Sequence, residues 1–259
     1  MYVNINMDNN FFVEDNLLDK TTRESQTGRF ILEIGTYKTK QNYWNYTSGK
    51  IIRKSDSKII AVINRNYGHF NYLFFTKNNQ DWLLGGSTYM SQTFVNCDTG
   101  EVYDNTEQLK MTIEYQKGNS FCWSRCEVSP NENMLMVIGC YWACPYEYKF
   151  FDIFDIAKGW SELKIETEYG CENFDSDDYA WIEDIFIIKR NISYFKYQDR
   201  WIELYSLEHD ELFERDNDVV PDDIDNTDKW RDVLVEIVRI KKVNNMMILE
   251  QEKIDNKHF

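Results

Sequence analysis

The sequence predicts an all-β fold, and three observations carry that prediction. Its apolar stretches are short and rich in β-branched and aromatic residues, as in Phe30-Ile-Leu-Glu-Ile34 and Lys58-Ile-Ile-Ala-Val-Ile63. Leu109-Lys-Met-Thr-Ile-Glu-Tyr115 alternates apolar and polar at every step, the pattern of a half-buried strand. Turn signals then punctuate the chain at short intervals: Asp98-Thr-Gly100, Lys117-Gly-Asn119, Pro130-Asn131 and Lys158-Gly159.

Taken in order, residues 1–29 read as a polar N-terminal arm with apolar patches at Phe11-Phe12-Val13 and Leu17-Leu18. Thr21 to Gly28 has loop composition, so the arm is either mobile or packed as an added strand. Residues 30–259 read as one β-rich domain. His69 to Thr76 carries four aromatics at strand spacing, and Trp181 to Ile188, Ile192 to Tyr197 and Trp201 to Tyr205 continue in the same style. Near the end, Val233-Leu-Val-Glu-Ile-Val238 and Met246-Met-Ile-Leu249 flank Asn244-Asn245, which predicts a hairpin. An amphipathic helix over 230–241 is the alternative there, and the β-branched content favours strand.

Composition bounds the function. The chain has 259 residues, is 42% hydrophobic and 16% aromatic, and so has material for a sizeable core. Its 44 acidic against 29 basic side chains leave a net charge of −15. That argues against direct binding to nucleic-acid backbones or to anionic membrane surfaces, both of which need clustered lysine and arginine. The first residues lack a basic stretch followed by an apolar one, and six cysteines without such a leader read as reduced thiols; the expectation is a cytoplasmic protein. The plentiful asparagine, isoleucine, lysine and tyrosine match the codon bias of AT-rich genomes, large DNA viruses of protists among them.

A self-comparison sharpens the architecture. Trp82-Leu-Leu-Gly-Gly86 leads to Gln92-Thr-Phe-Val-Asn-Cys-Asp98 and a Thr-Gly turn. Some 50–57 residues further on, Met136-Val-Ile-Gly139 leads to Tyr148-Lys-Phe-Phe-Asp-Ile-Phe-Asp155 and a Lys-Gly turn. A weaker third copy runs from Ile185 through Tyr197 to Trp201. Periods of this length with several strands each suggest the blades of a β-propeller, with room for about five small or irregular units. A two-sheet β-sandwich is the alternative.

Val128-Ser-Pro-Asn-Glu-Asn133, followed by Leu135-Met-Val-Ile-Gly139, resembles the step that joins an outer approach to the second strand in WD-repeat-like β-propellers. Phe150-Phe-Asp-Ile-Phe-Asp155 resembles the strand that follows it. The likeness covers about residues 82–160. It departs from the family pattern at Glu132 and Asn133, where Asp-Gly or Gly-Lys is usual, and lacks a Gly-His…Trp-Asp pair. The resemblance implies a fold and no activity.

Four groups of residues are weighed for chemistry. Cys122, Cys126, Cys140 and Cys144 form two pairs with three residues between partners, a spacing that zinc sites accept less often than two. Strand positions i and i+4 lie about 13 Å apart, so buried structural thiols are expected in preference to zinc or a redox pair. Nucleophilic catalysis lacks histidines, with only His69, His209 and His258 present, and no glycine-rich phosphate loop occurs. The carboxylate runs Asp175-Ser-Asp-Asp178 and Asp216 to Asp228 read as acidic loops; the second opens like a calcium loop but puts Pro221 near the position of the usual glycine. Last, Trp123, Tyr141, Trp142 and Tyr146, with Glu147, crowd a stretch where a propeller places loops, and aromatics of this kind serve in binding hot spots or as core.

The expectation is therefore a non-catalytic intracellular module, without cofactor, that binds a protein through these aromatics and through acidic edges that suit a basic partner. A carboxylate- and divalent-metal-dependent hydrolase or phosphodiesterase is one alternative. An acidic decoy that imitates nucleic acid is another.

Overall fold

β-branched and aromatic side chains fit a pleated surface that is buried on one or both faces, and strands dominate the molecule accordingly. The computed structural model describes residues 2–3, 11–38, 44–65, 67–86, 92–104, 121–141, 146–166, 178–197, 200–203, 230–244 and 246–255. Among these the chain is all-β, with short 3-10 turns at Glu14–Asn16 and Ile156–Lys158 and no α-helix. It divides into two compact units: residues 1–144 with 148–162, and residues 145–147 with 163–259.

The first unit opens with a sheet of β1 (Tyr2–Val3), β2 (Leu17–Glu24), β3 (Phe30–Tyr37), β4 (Tyr46–Arg53) and β5 (Lys58–Arg65), in the order β1-β5-β4-β3-β2. The loop expected from Thr21 to Gly28 is shorter than its composition suggests. Thr21 to Glu24 continue β2, pairing Thr21 with Ile34 and Arg23 with Leu32. All but the first side chain of β2 are exposed, so this edge strand is held by its backbone ladder and can carry polar residues. The N-terminal arm is thus, over 17–24, an added strand.

A second sheet is the meander β6 (Tyr72–Lys77), β7 (Gln80–Gly85), β8 (Thr93–Asn96) and β9 (Val102–Asp104). Asn78 and Asn79, with φ of 51° and 62°, make the two-residue turn between β6 and β7; asparagine tolerates this left-handed backbone. β10 (Phe121–Val128), β11 (Met134–Tyr141) and β12 (Glu147–Asp152) follow as a third ladder. Ser129 closes the β10–β11 turn, its backbone N–H on the Met134 carbonyl at 2.9 Å and its hydroxyl accepting the Met134 N–H at 3.0 Å.

Two cores lie on opposite faces of the middle sheet. Phe74, Leu83, Val95 and Cys97 join Phe30, Leu32, Ile51 and Ile63 of the first sheet in one cluster. Their neighbours Phe75, Trp82, Leu84 and Phe94 join Trp123, Leu135, Val137 and Ile153 in the other. Because successive strand residues point to opposite faces, burial of both faces requires a continuous apolar run. That is why Trp82-Leu83-Leu84 does not alternate. Three sheets are thus stacked face to face in chain order.

The second unit is built on β15 (Ile185–Tyr197), β17 (Trp230–Val243) and β18 (Met246–Asp255), with β14 (Tyr179–Ile182) and β16 (Arg200–Glu203) both on β15. From Lys164 to Glu166, β13 (Ser161–Glu166) pairs in parallel with β18. The single strand expected over Trp181 to Ile188 is a hairpin: Glu183 takes φ 53°, Trp181 pairs with Phe186, and their rings meet at 5.1 Å. Residues 230–241 are strand, paired with β15 and, from Leu234 on, also with β18, and Asn244 turns the chain into β18 with φ 55°. Leu163, Phe186, Ile188, Ile202, Val238, Ile240 and Met247 are the buried apolar side chains among its described residues. The Leu109 to Tyr115 strand and the acidic run 216–228 lie outside the described residues, as does all but Asp178 of the run 175–178.

Candidate functional site

β10 is irregular where it matters. Trp123 faces Gly139 across the ladder and Arg125 faces Ile138, so Ser124 is an extra residue in a β-bulge. Gly139 makes the bulge possible, since a Cβ there would stand 2.3 Å from the Cys122 carbonyl oxygen and 2.7 Å from the Phe121 ring. A regular strand sends alternate residues to opposite faces. Here four consecutive residues, 123–126, border one cavity of about 210 Å³.

The rest of that cavity comes from the first two sheets of the same unit. Residues 69–73 lead into β6, Leu84 and Gly85 end β7, Gln92 precedes β8, and Arg65 ends β5. Phe70 is fixed over Gly49, where a Cβ would fall 2.4 Å from its ring. The Asn71 amide donates to the Trp123 carbonyl at 3.2 Å, tying the β6 approach to the bulge. The Arg65 guanidinium is almost wholly buried, donates to the Gly86 carbonyl at 3.0 Å, and lies 5.8 Å from the Tyr67 ring centre. Arg125 is more than half exposed and forms a loose ion pair with Glu127 at 3.8 Å.

The residues singled out in the sequence take different places. Trp123 is in a strand and not a loop; it is 8% exposed, 4.8 Å from the Phe151 ring, and it borders the cavity from the second core. Tyr141 ends β11, edge-on to Phe121 at 5.5 Å, and its hydroxyl accepts a hydrogen bond from Lys149 at 2.9 Å. Lys149 also pairs with Glu162 at 3.2 Å and sits 4.6 Å from the Phe121 ring centre. Burial works against its charge, but the Tyr141 hydrogen bond and the pull of Glu162 outweigh it and hold its pKa above the usual lysine value. Tyr146 is 47% exposed, and Glu147 is half-buried at the start of β12. Trp142 lies outside the described residues.

Cys122 and Cys140 are opposite one another in the β10–β11 ladder, while Cys126 stands across from Val137 further along it. Burial, and then the neighbouring Cys140, raises the Cys122 pKa. Burial alone pushes Cys126 up to about 12. Cys144 lies outside the described residues, and among those described no three His, Cys, Asp or Glu side chains are grouped to hold a metal ion. Likewise, among the described residues, no helix is long and apolar enough to cross a membrane.

Sequence reasoning missed Arg65 and Arg125 and weighed His69 only as one of three histidines. Arg65 had a signal: it closes the run Ile59-Ile-Ala-Val-Ile-Asn64, and a charged residue at the end of a buried strand requires a polar surrounding. Arg125 had none, because its place beside Trp123 depends on the bulge.

The fold and the site together define an all-β protein whose first unit stacks mainly antiparallel sheets and holds an arginine- and aromatic-walled cavity. No protein-family model matches the chain. Over 237 residues it is 32% identical to uncharacterized protein R762 of Acanthamoeba polyphaga mimivirus, a match that spans 90% of this chain and 87% of the viral protein. The chain belongs to the family of that mimivirus protein.

Proposed function

We propose that the protein is a non-catalytic binding module that engages another macromolecule, a protein, through exposed aromatic side chains and acidic edges. The carrying observation is the exposure of large aromatics in turns and just before strands: Trp44 at 70%, Phe154 at 69% and Tyr146 at 47%. Tryptophan and tyrosine dominate binding hot spots because they bury much area at little conformational cost. The face-to-face stacking of the three sheets in the first unit supports a propeller-like reading, in which each meander is a blade and the turns between strands form the binding edges.

The test is capture of protein partners by the full chain from a cell extract, comparing wild type with Trp44→Ala, Phe154→Ala and Tyr146→Ala. Specific partners should be lost from at least one variant while all three melt like wild type. Capture unchanged in all three variants would overturn the reading.

A further inference from the structure

We propose that the cavity beside the β10 bulge is a binding site for a small organic anion, a carboxylate or phosphate group carried on a planar apolar ring. This goes beyond the macromolecular reading and does not depend on it. The sign of the charge is the first argument. Among the described residues that border the cavity the charged side chains are Arg65 and Arg125, joined by the His69 imidazole, and none is a carboxylate. In a chain with 44 acidic and 29 basic residues this is a local reversal of the overall charge. Cationic groups in a partly enclosed, low-dielectric recess focus the field on whatever enters. The flat guanidinium fork matches the paired oxygens of a carboxylate or phosphate.

Size and shape supply the second argument. An apolar cavity of about 150 Å³ is known to hold benzene. At about 210 Å³ this one has room for a ring together with an oxyanion. Phe70, Tyr72 and Trp123 provide flat apolar wall, and Phe70 and Trp123 are fixed by the Gly49 contact and the Asn71 hydrogen bond. The two arginines have distinct parts. Arg65 is built into the wall, whereas Arg125 stands at the exposed side, where an arriving oxyanion replaces its loose pairing with Glu127. The bulge is what brings Arg125 and Trp123 to the same recess.

The experiment is a titration of the full chain with benzoate and phenyl phosphate, followed by calorimetry and ligand-observed NMR. Benzylamine, benzyl alcohol and inorganic phosphate serve as controls. Both aryl anions should bind, benzylamine and benzyl alcohol at least tenfold more weakly, and inorganic phosphate more weakly than phenyl phosphate. Arg125→Gln, at an exposed position and therefore expected to fold, should weaken aryl-anion binding about tenfold and leave benzyl alcohol unchanged. The proposal is overturned if benzylamine matches benzoate, if inorganic phosphate matches phenyl phosphate, if Arg125→Gln binds like wild type, or if neither aryl anion binds at millimolar concentration.

Discussion

Glu132 takes a left-handed backbone conformation, φ 62°, and its carboxylate accepts the backbone N–H of Asn78 at 3.0 Å. The same carboxylate accepts from the Thr76 hydroxyl at 3.4 Å, and the Glu132 carbonyl accepts from the Lys77 ammonium at 2.7 Å. A glycine would take this conformation at lower cost, so the position trades backbone ease for a clasp on the β6–β7 turn. The adjoining Asn133 extends the clasp: its carbonyl accepts the Ile153 N–H at 2.9 Å.

Two substitutions separate the opposing effects. Glu132→Ala keeps the strained backbone and loses the carboxylate, so it should destabilise by about 1–2 kcal/mol. Glu132→Gly loses the same hydrogen bonds but relieves roughly 1 kcal/mol of left-handed strain, and should lie closer to wild type. Urea unfolding decides: an alanine variant as stable as wild type would show that the clasp account is wrong, and a glycine variant less stable than the alanine variant would show that the backbone carries no strain there.

Gly139 should resist even the smallest side chain. Its would-be Cβ meets a backbone oxygen at 2.3 Å, which cannot rotate away as a flexible side chain could. Gly139→Ala should cost about 2–3 kcal/mol, within the range for overpacked sites, or else push the bulge out of register. Amide exchange at Trp123 to Arg125 reads the second outcome, and full stability with unchanged exchange would mean that the close approach is not needed.

The strands of the first unit were legible, though not their division into three sheets, because burial leaves a local mark: runs such as Trp82-Leu83-Leu84 and the turn after Val128 need only neighbouring residues to be read. The dipeptide Asn244-Asn245 between two apolar runs announced the last hairpin for the same reason. Strand β2 was harder, since an edge strand exposed on both faces has the composition of a loop and is defined by hydrogen bonds to β3. The cavity was not legible at all. It joins Arg65, His69 and Arg125 across sixty positions, and it depends on one inserted residue, Ser124, that no periodicity reveals. Trp123 was expected as a loop aromatic and is instead a strand residue bordering the cavity, because the aromatic-rich text around it belongs to a ladder and not to a connection.

The thiols should be quiet. Burial raises the pKa of Cys97, Cys122 and Cys126, the last up to about 12, and only the thiolate is nucleophilic. In the native protein at pH 8, Cys97 and Cys126 should escape iodoacetamide for hours, while mass mapping after unfolding finds both modified at once. Rapid native labelling of Cys97, which is fully buried, would contradict this account; Cys126 is partly buried at the edge of the cavity, and its protection rests on its raised pKa.

Lys149 and Lys77 should tilt the alkaline stability in opposite directions. The folded pKa of Lys149 lies above its unfolded value, so its contribution is complete below about pH 10.5 and is lost as pH rises through the folded value. For Lys77, burial outweighs the attraction of Glu132, Asp152 and Asp155 and lowers the folded pKa. The unfolded chain then holds more protons than the folded one between the two values, and stability gains as pH rises through that interval. Relative to wild type, Lys149→Met should therefore flatten the loss of stability above pH 10.5. Lys77→Met should steepen the net decline on the alkaline side by removing a compensating gain. Urea midpoints between pH 8 and 11.5 provide the measurement, and parallel curves for wild type and Lys149→Met would mean that the Tyr141 and Glu162 contacts do not hold the charge on Lys149.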